Sequence, residues 1–239
     1  MTAIAASAAS SVSAFIPQSG PRPGQPGELL HLARIIADET GKYSDEDKHK
    51  ATIRIEIDRT NVFDYSVEER KEATRLEQGS SYRKRVTEAE EKWSRFVNQY
   101  LQANPIEKGW TGNTAFLRAQ VAFFDQLSPF ERSIPYFEGF RERAVASIGL
   151  QERLQARVDA GAFTYGTPKS AVSDPEAKLI LDLFDKIGSI RRGPDGQLVI
   201  PKEFAPYMQR GYELLGEGGF GTIQDTISLS PQARQAIGA

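Results

Sequence analysis

The strongest structural signal in this sequence is an apolar repeat between Tyr82 and Leu101. Apolar side chains recur there at steps of three and four residues: Tyr82, Val86, Ala89, Trp93, Phe96, Val97, Tyr100 and Leu101. This spacing places them on one face of an α-helix. On the opposite face we expect the ion pairs Lys84–Glu88, Glu88–Lys92 and Glu91–Arg95. The repeat predicts a long amphipathic helix in a mainly α chain.

Capping residues indicate where other helices begin. Ser66 and Ser128 each precede a glutamate by three residues, which is the capping-box pattern, and Asp174 stands directly before a proline. A loop over Gly109–Gly112 is expected before Thr114, and Gly149 is expected to separate two helices. With the apolar spacing, these signals predict helices over 28–38, 66–79, 82–101, 114–127, 129–148 with an interruption at Pro135, 150–160, 174–187 and 204–215, and a further helix start at Ser230.

Two short segments favour β-structure. Ile53, Ile55 and Ile57 alternate with charged residues, a period of two that predicts a half-buried strand. Residues 190–200 enclose a Pro-Asp-Gly turn and predict a small hairpin. Since a lone strand needs a partner, we expect the strand at 53–57 to pair with the run 197–200.

Composition divides the chain into four regions. Residues 1–27 are rich in Ser and Ala and then in Pro and Gly, with seven Pro or Gly between positions 17 and 27, which predicts a disordered tail. Residues 28–160 are expected to form a helical, bundle-like domain with an aromatic core, because 11 of the 23 aromatic residues lie between Trp93 and Phe140. Residues 161–173 are interpreted as a linker, and residues 174–239 as a C-terminal helical subdomain with a hairpin and a flexible end. An aromatic set this dense also fits a groove, but at helical spacing a packed core is favoured.

Charge and residue usage argue against several functions. The chain has 30 basic and 32 acidic residues, so no basic excess favours nucleic acid. The absence of cysteine removes thiol catalysis and thiolate metal sites, and His31 and His49 are too few for a three-histidine site. No stretch is apolar enough for a membrane span. No cofactor, metal or catalytic residue is predicted.

One motif resembles a nucleotide-binding loop. Gly216, Gly218 and Gly221 satisfy the G-x-G-x-x-G spacing. The motif follows a predicted helix instead of a strand, and only 16 residues remain after Ile223, too few for the other parts of a kinase site. We therefore interpret it as a helix C-cap and a flexible turn.

Three charged groups receive similar interpretations. Asp45, Asp47 and His49 alternate as metal ligands do, but the EF-hand glycine is replaced by Lys50, so we expect a solvated cluster. The triplet Arg83–Arg85 is followed by acids within two turns and is interpreted as a solvated helix face. Residues 191–192 are interpreted as hairpin-edge charges that prevent strand pairing.

Three functional hypotheses remain. The leading one is a non-enzymatic protein–protein interaction or assembly protein whose flexible ends order on a partner. The first alternative is an exported factor or effector that uses the Ser/Ala-rich residues 2–20 in place of a cleavable secretory signal. The second is an enzyme with a carboxylate site that no motif reveals.

Overall fold

A computed structural model describes residues 25–59, 65–104, 110–192 and 197–217, with the side chains of 56–59 and 110–113 left out. These ranges are mainly α-helical, as predicted. The helices are α1 Glu28–Ile36, α2 Asp45–Arg59, α3 Val67–Gly79, α4 Ser81–Ala103, α5 Trp110–Gln126, α6 Pro129–Ser133, α7 Phe140–Asp159, α8 Pro175–Asp185 and α9 Ala205–Leu215. Short 3₁₀ turns cover Pro135–Phe137, Lys169–Ala171, Ile187–Ser189 and Lys202–Phe204.

The predicted hairpin is confirmed as two antiparallel strands. Strand β1, Arg191–Arg192, pairs with β2, Leu198–Val199, in the register Arg191 to Val199 and Arg192 to Leu198. The predicted tail up to residue 24, the turn 193–196 and the predicted helix at Ser230 lie outside the described residues. Where the chain is described, no helix is long and apolar enough to cross a membrane.

The contacts of the chain fall into two compact units. One unit combines Met1–Val97 with Leu127–Glu138, and the other combines Asn98–Gln126 with Gly139–Ala239. The domain boundaries proposed from the sequence remain predictions, because such a grouping does not test whether a part folds alone.

The first unit is built around α1. Five aliphatic side chains of this helix are at most 3% exposed: Leu29, Leu32, Ala33, Ile35 and Ile36. Helices α2 and α3 both pack on α1. Burial of each larger aliphatic side chain is worth roughly 1.5–3 kcal/mol, so α1 gains most of its stabilisation from its neighbours.

Charged side chains are buried at the same place. Glu28 and Arg54 are each 3% exposed, and Arg54 Nε donates to Glu28 Oε1 at 3.2 Å. The Tyr65 hydroxyl donates to Glu28 Oε2 at 3.0 Å. Both carboxylate oxygens of Glu28 therefore accept a hydrogen bond inside the unit, as a buried charge requires.

The predicted strand at Ile53–Ile57 is wrong, because these residues lie within α2. The buried residues of this part of α2 follow a helical spacing, with Lys48, Thr52 and Ile55 at 8%, 2% and 2% exposure. The alternation is misleading because it places Arg54 on a solvent-facing side, whereas Arg54 is buried against Glu28. The expected mate of this strand, the run 197–200, pairs with β1 instead.

The second unit is centred on α7, which packs against α5, α8 and α9. Its core consists of Ala146, Leu150, Leu154, Val172, Ala177, Ile180, Leu183, Ile190, Ile200, Phe204 and Met208. Phe163 packs against this core, so it and Val172 anchor the polar segment 161–173 to the unit. Asp174 caps α8 as predicted, since its carboxylate accepts the Ala177 N–H at 2.7 Å.

Helices α7 and α9 cross at two glycines. A Cβ at Gly149 would lie 1.9 Å from the carbonyl oxygen of Tyr207, and one at Gly211 would lie 2.2 Å from that of Val145. The predicted break at Gly149 is wrong, because α7 runs through it without interruption. Gly149 allows two backbones to approach closely and does not mark a turn.

Two further expectations need correction. Residues 110–112 belong to α5, so the predicted loop is wrong there, and the Thr114 hydroxyl donates to Gln151 Oε1 at 3.2 Å instead of capping the helix.

Among the aromatic residues expected to form a core, Phe137 is 1% exposed and Tyr136 is 48% exposed. The following are half-buried: Trp93, Phe96, Tyr100, Phe116, Phe123, Phe124, Phe130 and Phe140. Aliphatic residues therefore form most of the core.

Replacing Glu28 tests the buried ion pair. Glu28→Ala removes the acceptor of Arg54 and Tyr65, and we expect the free energy of unfolding to fall by about 3–5 kcal/mol. The exposed pair Glu72–Arg75 provides the control, so Glu72→Ala should leave stability nearly unchanged. Urea denaturation of both variants measures the difference. If the two substitutions lower the free energy of unfolding equally, the Glu28–Arg54 pair is not buried as described.

Alanine substitution tests the helix crossing. Gly149→Ala and Gly211→Ala should each destabilise the protein by about 1–3 kcal/mol, because the added methyl group meets backbone that must shift. A Cβ added at Gly188 would have no other atom within 4 Å, and Gly188→Ala should therefore be neutral or slightly stabilising. Thermal unfolding of the three variants provides the comparison. A gain in stability for Gly149→Ala would show that helix propensity outweighs the close contact.

Candidate functional site

An open cleft of about 840 Å³ lies beside the junction of α3 and α4. We call it the α4 cleft. Its lining residues are Glu39, Gln78, Gly79, Ser80, Ser81, Arg83, Lys84, Thr87, Glu88 and Glu91. All ten belong to the first unit. None of the ten has a large apolar side chain, whereas small-molecule pockets are lined mostly by apolar and aromatic side chains.

The break between α3 and α4 creates one wall of the cleft. Ser80 adopts an extended conformation with φ −79° and ψ 146°, and α3 ends there. Its hydroxyl oxygen accepts the N–H of Arg83 at 3.0 Å, which caps the start of α4. The predicted interruption at residues 79–81 is confirmed, and it places the first turn of α4 at the edge of the cleft.

Two side chains on the other side of α4 fix its orientation. Tyr82 is 1% exposed and meets the Phe130 ring edge to face, with centroids 5.7 Å apart. The Arg85 guanidinium lies 3.5 Å from the centroid of the same ring and donates two hydrogen bonds to the Asp45 carboxylate at 3.0 and 3.1 Å. Tyr82 and Arg85 both contact Phe130 on that side, and the intervening Arg83 and Lys84 line the cleft.

The N-terminus of α4 is already occupied by a carboxylate of the chain itself. Glu39 accepts the backbone N–H of Ser81 at 2.9 Å and its hydroxyl at 2.7 Å. These two bonds lower the pKa of Glu39 below its ordinary value. The helix end is therefore not an open anion site.

Several charged residues of the cleft form no ion pair within the described residues, whereas the other basic residues of α4 do. Of the five basic residues of α4, Arg85 pairs with Asp45, Lys92 with Glu131 and Arg95 with Glu91. Arg83, Lys84 and Glu88 form no ion pair with any residue that the structure describes. The predicted pair Glu91–Arg95 is confirmed, with Arg95 Nη1 at 3.4 Å from Glu91 Oε2, while Lys84–Glu88 and Glu88–Lys92 are wrong. The second fails because Lys92 contacts Glu131 instead.

The candidate metal ligands are used otherwise. Asp45 pairs with Arg85, and Asp47 exchanges hydrogen bonds with Ser44 at the start of α2, at 2.7–3.1 Å. In the described part of the chain, no group of three or more His, Asp or Glu side chains is arranged to hold a metal ion. Asp45 and Asp47 lie in the first turn of α2, where acidic side chains are favoured.

The glycine-rich motif follows α9. Gly216 has φ +78° and its N–H donates to the carbonyl of Glu213, so its interpretation as a helix C-cap is confirmed. Gly218 and Gly221 lie outside the described residues.

Arg191 and Arg192 are exposed on β1, as expected for hairpin-edge charges. Of the histidines, His31 is half-buried within α1.

Sequence reasoning recognises only part of the cleft. It treats the triplet Arg83–Arg85 as one solvated face, but the structure separates Arg85 from the other two residues. It misses Glu39 and Ser81, because their contact joins residues 42 positions apart. The available signal is the Gly-Ser-Ser break at residues 79–81, which lies one residue before the basic triplet Arg83–Arg85.

No known protein family, curated protein or solved structure matches this chain. The cleft is therefore interpreted from its own residues.

Titration of Tyr82 tests the anchor of the cleft wall. Burial raises the pKa of Tyr82 to about 12, with the nearby Thr52 hydroxyl partly opposing this effect. An unfolded tyrosine ionises near pH 10, so the folded state keeps a proton that the unfolded state loses, and stability falls as pH rises from 10 to 12. Between pH 9 and pH 11 the wild type should lose about 1 kcal/mol more than Tyr82→Phe.

Urea denaturation at the two pH values measures this difference. Tyr136 is 48% exposed, so Tyr136→Phe should lose stability as steeply as the wild type. If Tyr82→Phe also follows the wild type, Tyr82 is not buried as described.

Proposed function

We propose that this chain is a non-enzymatic interaction protein that binds another protein through the α4 cleft. The observation that carries the proposal is charge of both signs on one open surface, from Arg83, Lys84 and Glu88, which form no ion pair with any described residue. Surface charges that pair within the chain gain little from a partner. Charges that lack a pair attract complementary groups and set specificity and association rate.

The shape and lining of the cleft support a macromolecular partner. A small apolar ligand would find no large apolar side chain there, because all ten lining residues are charged residues, Ser, Thr, Gln or Gly. Backbone and charged side chains of another protein offer both donors and acceptors to such a surface. Exposed residues such as Lys84, Thr87 and Glu88 are accessible to a partner of that size.

Site-specific photocrosslinking tests the proposal. A photoreactive residue at Thr87 in the full chain should capture a discrete partner in a lysate of the source cells, and the same residue at the exposed Lys178 should not. The captured protein is then purified and titrated against the wild type. Arg83→Glu with Lys84→Glu should weaken binding at least tenfold, mainly through slower association.

A matched double variant controls for net charge. Lys71→Glu with Lys178→Glu changes the charge by the same amount at exposed positions outside the cleft. It should leave affinity within about twofold, since distant exposed charges are largely screened. Equal capture at Thr87 and Lys178, or equal weakening by the two double variants, would contradict the proposal.

A further inference from the structure

The charges of the α4 cleft are ordered along the helix. Its basic residues, Arg83 and Lys84, lie in the first turn of α4, and its acidic residues, Glu88 and Glu91, lie one and two turns later. At a rise of about 1.5 Å per residue, the basic and acidic groups are roughly 6–12 Å apart along the axis. The cleft therefore has a basic end and an acidic end.

This order argues against a simple anion or cation as the ligand. A phosphate at the basic end would lie within about two turns of Glu88 and Glu91, and the Ser81 donors there are already held by Glu39. A cation at the acidic end would lie within two turns of Arg83 and Lys84. Like charges facing each other at these distances are destabilising, so a ligand of one sign gains at one end and loses at the other.

The geometry points to a partner segment that carries an acidic and a basic side chain two to four residues apart, with its acid against Arg83 and Lys84 and its base against Glu88. Glu91 keeps its contact with Arg95 and adds negative charge at the acidic end. An extended chain advances about 3.3 Å per residue, so this separation matches the spacing of the two ends. The inference rests on the proposed function, since it names the chemistry of the partner that the cleft binds.

Synthetic peptides test the charge order directly. The probe is a capped, fluorescent seven-residue peptide with two aspartates, one glycine and two lysines in sequence between alanines. Peptides with four aspartates or four lysines at the charged positions are its controls. Amide NMR shifts of the full-length protein at low salt should move for residues 78–91 with the mixed peptide. Its dissociation constant should be at least fivefold lower than that of either control.

Charge reversal in the protein provides the matched variants. Arg83→Glu with Lys84→Glu, or Glu88→Lys with Glu91→Lys, should each weaken the mixed peptide at least fivefold. The variant with all four substitutions carries the acidic end first and the basic end second along α4. A peptide with its aspartates and lysines exchanged should bind this variant with a dissociation constant within about twofold of that of the mixed peptide and the wild type. Circular dichroism and the thermal midpoint check that these exposed substitutions preserve the fold.

Several outcomes would overturn the inference. These are tighter binding of the all-acidic or all-basic peptide, no recovery in the fourfold variant, shifts confined to residues other than Glu39 and 78–91, or no binding of the mixed peptide. Failure of the proposed function is distinct from these outcomes. If a partner is captured at Thr87 and depends on only one end of the cleft, the proposed function stands and the charge order is wrong.

Discussion

Helix α1 depends on other elements for both of its ends, and the first unit depends on α1. At nine residues it is shorter than the roughly 12–15 residues that an isolated helix needs. Glu69 Oε1 accepts the N–H of Gly27 at the start of α1, and Lys48 Nζ donates to the carbonyl of Asp38 after its end, at 2.9 and 2.6 Å. These contacts satisfy backbone groups that a short buried helix would otherwise leave unbonded.

The separation along the chain of the residues in each contact explains which parts of the fold the sequence predicts. Helix starts marked by Ser66, Ser128 and Asp174 depend on residues three positions away, so they are visible in a local pattern. Ser128 forms the full capping box. At Ser66 only the hydroxyl half is confirmed, because the carboxylate of Glu69 reaches Gly27 instead. That second contact spans 42 residues and has no local signature.

The wrong predictions share a cause. They treat charge as a sign of exposure at Arg54 and glycine as a sign of a turn at Gly149. Both rules fail where tertiary packing supplies something unusual, a buried carboxylate for the arginine and a crossing helix for the glycine. The α4 cleft is only partly predictable for the same reason. Which basic residues of α4 lack an ion pair within the described residues depends on Asp45 in α2 and Phe130 in α6, each two helices from α4 in the sequence.

The crossing of α7 and α9 also limits how this sequence can vary. In most cores a larger side chain on one helix is accommodated by a smaller one on its neighbour, so the two positions covary among homologues. At Gly149 and Gly211 the nearest opposing atoms are main-chain carbonyl oxygens, which no substitution removes. Shortening the Val145 side chain, whose Cγ1 would lie 2.8 Å from a Cβ at Gly211, would leave the contact with the Val145 carbonyl oxygen at 2.2 Å. Each glycine is expected to be invariant without a covarying partner, and its importance would be missed by methods that infer contacts from paired substitutions.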